Sequence, residues 1–119
     1  MKKILVVDDE RAMRDLFEIF FTNNCGYQVI LAENGQRGLD IFMQEVPDLI
    51  ITDINMPVMD GRDMVMSIRA SLFNAPVIFM SGISENFKGL EEIEGAFFME
   101  KPLSLKKMAK KIEELLLKN

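Results

Sequence analysis

Asp8, Asp9, Asp53, Ser81 and Lys101 are the residues whose types and placement suggest chemistry in this chain. Each follows the abrupt end of an apolar run. ILVV (4–7) stops at Asp8-Asp9-Glu10, LIIT (49–52) at Asp53, VIFM (77–80) at Ser81-Gly82, and AFFM (96–99) at Glu100-Lys101-Pro102. Carboxylates gathered in one place repel: two unit charges about 5 Å apart cost roughly 3 kcal/mol at an effective dielectric of ~20. A lysine offsets part of that cost. A hard divalent cation offsets the rest, and Mg²⁺ commonly sits on one or two carboxylates together with phosphate oxygens and water. A carboxylate beside such an ion and a lysine is suited to attack phosphorus, giving an aspartyl-phosphate. Catalysis would then rest on positioning and on neutralising the equatorial oxygens. The chain contains no histidine, the commonest general base and metal ligand, so carboxylates, hydroxyls, lysines or a bound ion must carry any chemistry.

Each residue taken singly also has a structural reading. Asp8-Asp9-Glu10 suits a cap on a following helix and its dipole. Asp53 suits a turn, Ser81 a small strand-end position, and Lys101 a solvated surface. Asp60-Gly61 reads as an N-cap entering a helix. Capping alone does not explain why four strand ends carry Asp-Asp, Asp, Ser and Lys in that order.

The elements that must position these groups follow from the apolar pattern. Five runs recur: ILVV (4–7), YQVILA (27–32), LIIT (49–52), VIFMS (77–81) and AFFME (96–100). Four are nearly continuous, as strands covered on both faces are; the second is more mixed and suits an edge. Helical spacing predicts helices through Met13, Leu16, Phe17 and Phe20, then Leu39, Phe42, Met43 and Val46. It predicts two more through Met64, Val65 and Ile68, and through Leu105, Met108, Ile112 and Leu115. Most of the ten methionines are expected to fill core space. Segment 84–94, SENFKGLEEIE, has Gly89 in its middle and predicts a short or irregular helix, the most mobile element. Alternating strands and helices predict an α/β fold: a doubly wound, five-stranded parallel sheet with helices on both faces and right-handed crossovers. Residues 1–119 read as one domain. In such a sheet the strand C-termini share one edge, where ligands bind at the reversal of strand order.

Composition narrows the function. Apolar residues make up 49% of the chain, which predicts a folded globule. A net charge of -5 argues against direct nucleic-acid binding. No run approaches a membrane span, and the short apolar start ending in acids is not a signal peptide. A single cysteine, Cys25, excludes an internal disulfide and suits a cytoplasmic setting.

VVDDE (6–10), IITDINMPVMDG (50–61), VIFMSG (77–82) and FFMEKP (97–102) together resemble the response-regulator receiver domain of two-component signalling, over essentially the whole chain. The resemblance implies strand order 2-1-3-4-5, an order the flavodoxin-like folds share. It implies Asp53 as phosphoacceptor, taking a phosphoryl group from a histidine kinase or a histidine phosphotransfer protein. Asp9 would bind Mg²⁺ directly and Asp8 through water, with Asp53 and the backbone carbonyl of Asn55 completing the protein ligands. Lys101 would contact a phosphate oxygen. Ser81 would be the switch hydroxyl that moves to bond the phosphoryl group, and Phe98 the switch aromatic that turns inward with it. A cis peptide would precede Pro102. The downstream target would dock on the fourth-helix, fifth-strand, fifth-helix face.

The chain departs from the family pattern in places. Gly82 stands where alanine is usual, which should loosen the loop. Phe98 lacks the hydroxyl of the frequent tyrosine. The stretch from Ser81 to Lys101 is a couple of residues short, in the region of the fourth helix, so either partner docking is expected to differ or that helix to be poorly ordered. The leading function is a phosphorylation-controlled switch that catalyses only its own phosphotransfer and is not a turnover enzyme. Stand-alone regulator, phosphorelay intermediate and receiver half of a larger regulator all fit. A phosphatase with an aspartyl-phosphate intermediate is disfavoured, because Asn55 rather than an acid stands two residues after Asp53. A pseudo-receiver that binds partners without phosphorylation is the remaining alternative.

Overall fold

A computed structural model describes residues 1–117. β1 (Lys3–Val7), β2 (Gln28–Ala32), β3 (Leu49–Asp53), β4 (Val77–Ser81) and β5 (Ala96–Glu100) form one sheet in the order β2-β1-β3-β4-β5. All pairings are parallel, with Val6 opposite Ile51, Ile51 opposite Ile78, and Ile78 opposite Phe97. The strand order reverses between β1 and β3, so the ends carrying Asp8 and Asp53 are neighbours.

Four α-helices cover the sheet among the described residues: α1 (Arg11–Cys25), α2 (Gly35–Glu45), α3 (Gly61–Ala70) and α4 (Leu105–Leu117). The period-two alternation of strand side chains sorts the core into two layers. Leu5, Val7, Ile50, Val77 and Phe79 face α2 and α3, meeting Ile41, Phe42, Met64, Val65 and Ile68. Ile4, Val6, Leu49, Ile51, Ile78 and Met80 face α1 and α4, meeting Phe17, Phe21, Met108, Ile112 and Leu115. Both faces of the inner strands are therefore apolar, which is why their sequences run without alternation. β2 lies at one edge and is only partly buried, as its mixed composition predicts.

Two predicted helical stripes match the buried faces only in part: Met13, Phe17 and Phe20 of α1 and Leu39 and Phe42 of α2 pack inward. In α1, Leu16 is exposed and Phe21 is buried instead, pairing with Phe17 one turn earlier. In α2, Met43 and Val46 are exposed, and the inward side is Gly35, Gly38, Ile41 and Phe42. Glycine leaves no apolar side chain for a periodicity to register, yet it marks this contact. A Cβ at Gly35 would lie 2.3 Å from the carbonyl oxygen of Met59, so only glycine lets α2 approach the loop that precedes α3. That loop ends in a cap: the Asp60 carboxylate accepts the Asp63 N–H at 2.8 Å.

The short or irregular helix expected after β4 takes 3-10 rather than α form. Residues 84–94 form two 3-10 turns, Ser84–Phe87 and Leu90–Glu92, separated by Gly89 at φ 82. Lys88 closes the first turn and the left-handed Gly89 opens the second; Leu90 is the one fully buried side chain of the segment, too little apolar surface to fasten an α-helix. The face named from the resemblance as fourth helix, fifth strand and fifth helix is thus built from the two turns, β5 and α4. Arg69 braces this region from below, donating to the carbonyls of Phe73, Ala75 and Glu94. No helix of the described residues is long and apolar enough to cross a membrane.

Candidate functional site

The carboxylates of Asp8, Asp9 and Asp53 meet at the C-terminal edge of the sheet, with ligand atoms that all lie within 4.8 Å of one another. Asp8 continues β1 and is fully buried, whereas Asp9 is exposed. The Asp8 backbone N–H donates to the carbonyl of Ala32, so pairing with β2 extends past the strand end and carries Asp8 inward. Its Oδ1 accepts the Glu10 N–H at 2.9 Å, and Arg14, one turn into α1, donates to its carbonyl at 2.8 Å. Its Oδ2 is buried without a hydrogen-bond partner. A buried carboxylate oxygen left unpaired is costly, and a cation is the partner that best compensates it.

Asp53 ends β3 and is partly buried. Its Oδ1 accepts the Ile54 N–H at 3.1 Å, and its Oδ2 lies 3.4 Å from the Lys101 ammonium. Lys101 is set in place by its own backbone, whose N–H donates to the Ser81 carbonyl at 2.8 Å, tying the end of β5 to the end of β4. The Lys101–Pro102 peptide is cis. The Thr52 hydroxyl, buried beneath the site, donates to the Asp53 carbonyl at 2.8 Å. Asn55 lies in the exposed loop two residues beyond Asp53.

The electrostatics follow from burial. Loss of solvation pushes the Asp8 carboxyl up to about 6; the Asp53 charge adds to this and the Glu10 N–H opposes it. Burial also raises Asp53, against the Lys101 charge and hydrogen bond. An all-oxygen cluster with an unpartnered buried oxygen and a single nearby ammonium fits a hard divalent cation.

Ser81 and Phe98 sit on the adjoining strands β4 and β5, Ser81 at the same sheet edge as the cluster. The Ser81 hydroxyl is almost fully buried and turned into its own loop: it donates to the Ile83 carbonyl and accepts from the Ile83 N–H and the Asn86 side-chain amide. The Phe98 ring is partly buried, stacked 5.9 Å from Phe79 and tilted 5.1 Å from Phe87. The structure thus brings Asp8, Asp9, Asp53 and Lys101 together, and holds Ser81 and Phe98 beside them in a separate network. Reading the sequence missed Arg14, Thr52 and Asn86. Of these, only Arg14 had a signal, lying one helical turn beyond the acidic run.

The response regulator receiver domain matches residues 4–113. The chain is 36% identical over 118 residues to the probable transcriptional regulator ycf27 of Porphyra purpurea, covering 97% of this chain and 47% of that one. It is 32% identical to the response regulator MprA of Mycolicibacterium vanbaalenii, covering 96% of this chain and 50% of that one. The chain therefore spans about half the length of the curated relatives it matches. The receiver domain of the Francisella response regulator 1452 superposes with a TM-score of 0.89 at 26% identity, covering 99% of this chain and 98% of that chain. With a match that runs through both halves of the acidic cluster and on to Lys101, the chain belongs to the response regulator receiver domain family.

Proposed function

We propose that this chain is a phosphorylation-controlled signalling switch in which Asp53 accepts a phosphoryl group from a phosphohistidine of a histidine kinase or histidine phosphotransfer protein. The observation that carries the reading is the Asp53 carboxylate, clustered with Asp8 and Asp9 and with Lys101 3.4 Å from its Oδ2. A carboxylate oxygen of Asp53 attacks phosphorus as the bond from phosphorus to the donor imidazole nitrogen breaks. The electron pair of that bond stays on the imidazole nitrogen, which takes up a proton. Lys101 steers the acceptor and meets the charge on the transferred oxygens. Asp8, Asp9, Asp53 and the backbone carbonyl of Asn55 would hold Mg²⁺. When bound, the ion supplies Lewis-acid neutralisation of the phosphoryl oxygens.

Phosphorylation adds nearly two negative charges and three acceptor oxygens, enough to bias a two-state element. Ser81 and Phe98 are that element, and the target protein docks on the face built from β5, α4 and the two 3-10 turns. The chain acts on its own aspartate and is not a turnover enzyme. Its donor and target are cytoplasmic proteins. Intact mass after incubation with a small-molecule phosphodonor tests the reading. One phosphoryl mass is expected, dependent on Mg²⁺ and lost in Asp53→Asn. No gain in the folded parent, with both a small donor and a histidine kinase, would move the chain to the phosphorylation-independent class.

A further inference from the structure

The Ser81 hydroxyl has one proton to give and two lone pairs to fill. All three are used within its own loop. The proton goes to the Ile83 carbonyl at 3.1 Å, and the lone pairs take the Ile83 N–H at 3.1 Å and the Asn86 amide at 2.9 Å. Such a hydroxyl cannot donate to a phosphoryl oxygen without giving up the Ile83 carbonyl, and its oxygen cannot move toward Asp53 without also giving up the Ile83 N–H and the Asn86 amide. Two of these partners are backbone groups of a residue two positions away and would form with any side chain at 86. The third is Asn86, a side chain supplied by the 3-10 turn Ser84–Phe87. The next residue of the same turn, Phe87, packs its ring 5.1 Å from that of Phe98. One short turn therefore grips both switch residues, with Asn86 on the hydroxyl and Phe87 on the aromatic.

We infer that Asn86 is a positioning residue that latches the Ser81 hydroxyl away from Asp53 in the unphosphorylated protein, so that phosphorylation must release the Ser84–Phe87 turn as well as move Ser81. The inference rests on the proposed phosphoacceptor role of Asp53 and deepens it. The turn is suited to the task. Its backbone is held by i to i+3 hydrogen bonds, from Asn86 N–H to the Ile83 carbonyl and from Lys88 N–H to the Glu85 carbonyl. None of its residues is fully buried. It can thus leave without opening the core. Releasing it removes the amide that fixes the position of the Ser81 oxygen and uncovers one side of the Phe98 ring in the same event, which couples the site to the face that β5 and α4 present.

A ligand that binds one of two states gains affinity when the competing state is weakened. Beryllofluoride with Mg²⁺, a stable mimic of a phosphoryl group on a carboxylate, is the probe. Asn86→Ala and Asn86→Leu both remove the amide donor, and the leucine keeps the volume. Loss of one neutral hydrogen bond to the latched state should tighten apparent beryllofluoride binding about threefold to tenfold in both variants. In a Ser81→Ala background the same substitutions should change the affinity by less than about 1.5-fold, since the latched group is gone. Unchanged or weaker binding in the Asn86 variants would overturn the latch, as would an equal gain with and without Ser81. If the parent itself neither binds beryllofluoride nor accepts phosphate at Asp53, the acceptor reading fails and the latch falls with it; binding by the parent with no effect of Asn86 overturns the latch alone.

Discussion

Asp8 should make the metal-free protein less stable as pH rises, which is the reverse of ordinary carboxylate behaviour. Its carboxyl sits near 6 in the folded chain against an ordinary 3.8, chiefly because it is buried. Each pKa unit corresponds to about 1.4 kcal/mol, so the gap is worth ~3 kcal/mol. The sign follows from proton counting. Between the two values the folded state holds a proton that the unfolded chain has released. Stability attributable to Asp8 therefore falls as pH rises through that window, with no penalty below the lower value and the full penalty above the upper one. Other carboxylates titrate over the same range, so the quantity to read is a difference between two proteins. Asp8→Asn keeps an acceptor for the Glu10 N–H and removes the titrating charge. In EDTA, its stability relative to the parent should rise by about 2 kcal/mol between pH 4.5 and 7.5. For a domain with a net stability of roughly 5–15 kcal/mol, a change of that size is well resolved by urea melts at stepped pH. Saturating Mg²⁺ at pH 7.5 should stabilise the parent through its affinity for the folded state alone, and should do little for Asp8→Asn. A parent-to-mutant gap that stays flat within about 0.5 kcal/mol, or that shrinks as pH rises, would refute the claim that burial of Asp8 destabilises the metal-free site.

Two glycines should respond oppositely to alanine. Gly35→Ala drives a Cβ to 2.3 Å from the Met59 carbonyl oxygen and should cost about 2–3 kcal/mol in a thermal or urea melt. Gly82→Ala meets nothing within 4 Å and should stabilise by about 0.4–1 kcal/mol through the unfolded chain; a loss would show that the loop needs its glycine. Arg69→Leu leaves the carbonyls of Phe73, Ala75 and Glu94 without their shared donor and should cost about 2 kcal/mol, read in the same melts. Amide exchange across 84–94 should be roughly a hundredfold or more faster than in β4, and protection equal to that strand would rule out the weakly held turns described here.

Much of this protein was written in local pattern. The continuous runs of β1, β3 and β4 announced strands covered on both faces, because only burial on both sides removes the need for alternation. The acids and the lysine announced a site because each broke an apolar run at a strand end, and parallel strands bring their ends to one edge. Asp60 announced its cap because the N-cap role is local. What depends on contacts between distant segments was not legible. The inward face of α2 is marked by Gly35 and Gly38, which have no side chain for a hydrophobic period to detect, and the reason for glycine lies in the Met59 carbonyl more than twenty residues away. The phase of α1 followed from packing against α4 and the sheet. Its own spacing allowed Leu16 as readily as Phe21. The segment after β4 was legible as a short or irregular helix, but its form was not: Leu90 alone is fully buried, and the chain settles into two 3-10 turns. The state of Ser81 was also beyond the sequence. Its residue type marks a possible switch, but which atoms occupy its hydroxyl depends on where a turn five residues later places Asn86. Sequence by itself determined which groups gather at the ligand edge, because apolar runs alternating with helical stripes imply parallel strands whose C-terminal ends share one edge. Tertiary structure alone decided how deeply Asp8 is buried, how near Lys101 comes to Asp53, and what holds the hydroxyl, because burial, charge and hydrogen bonding there are sums over segments the chain keeps far apart.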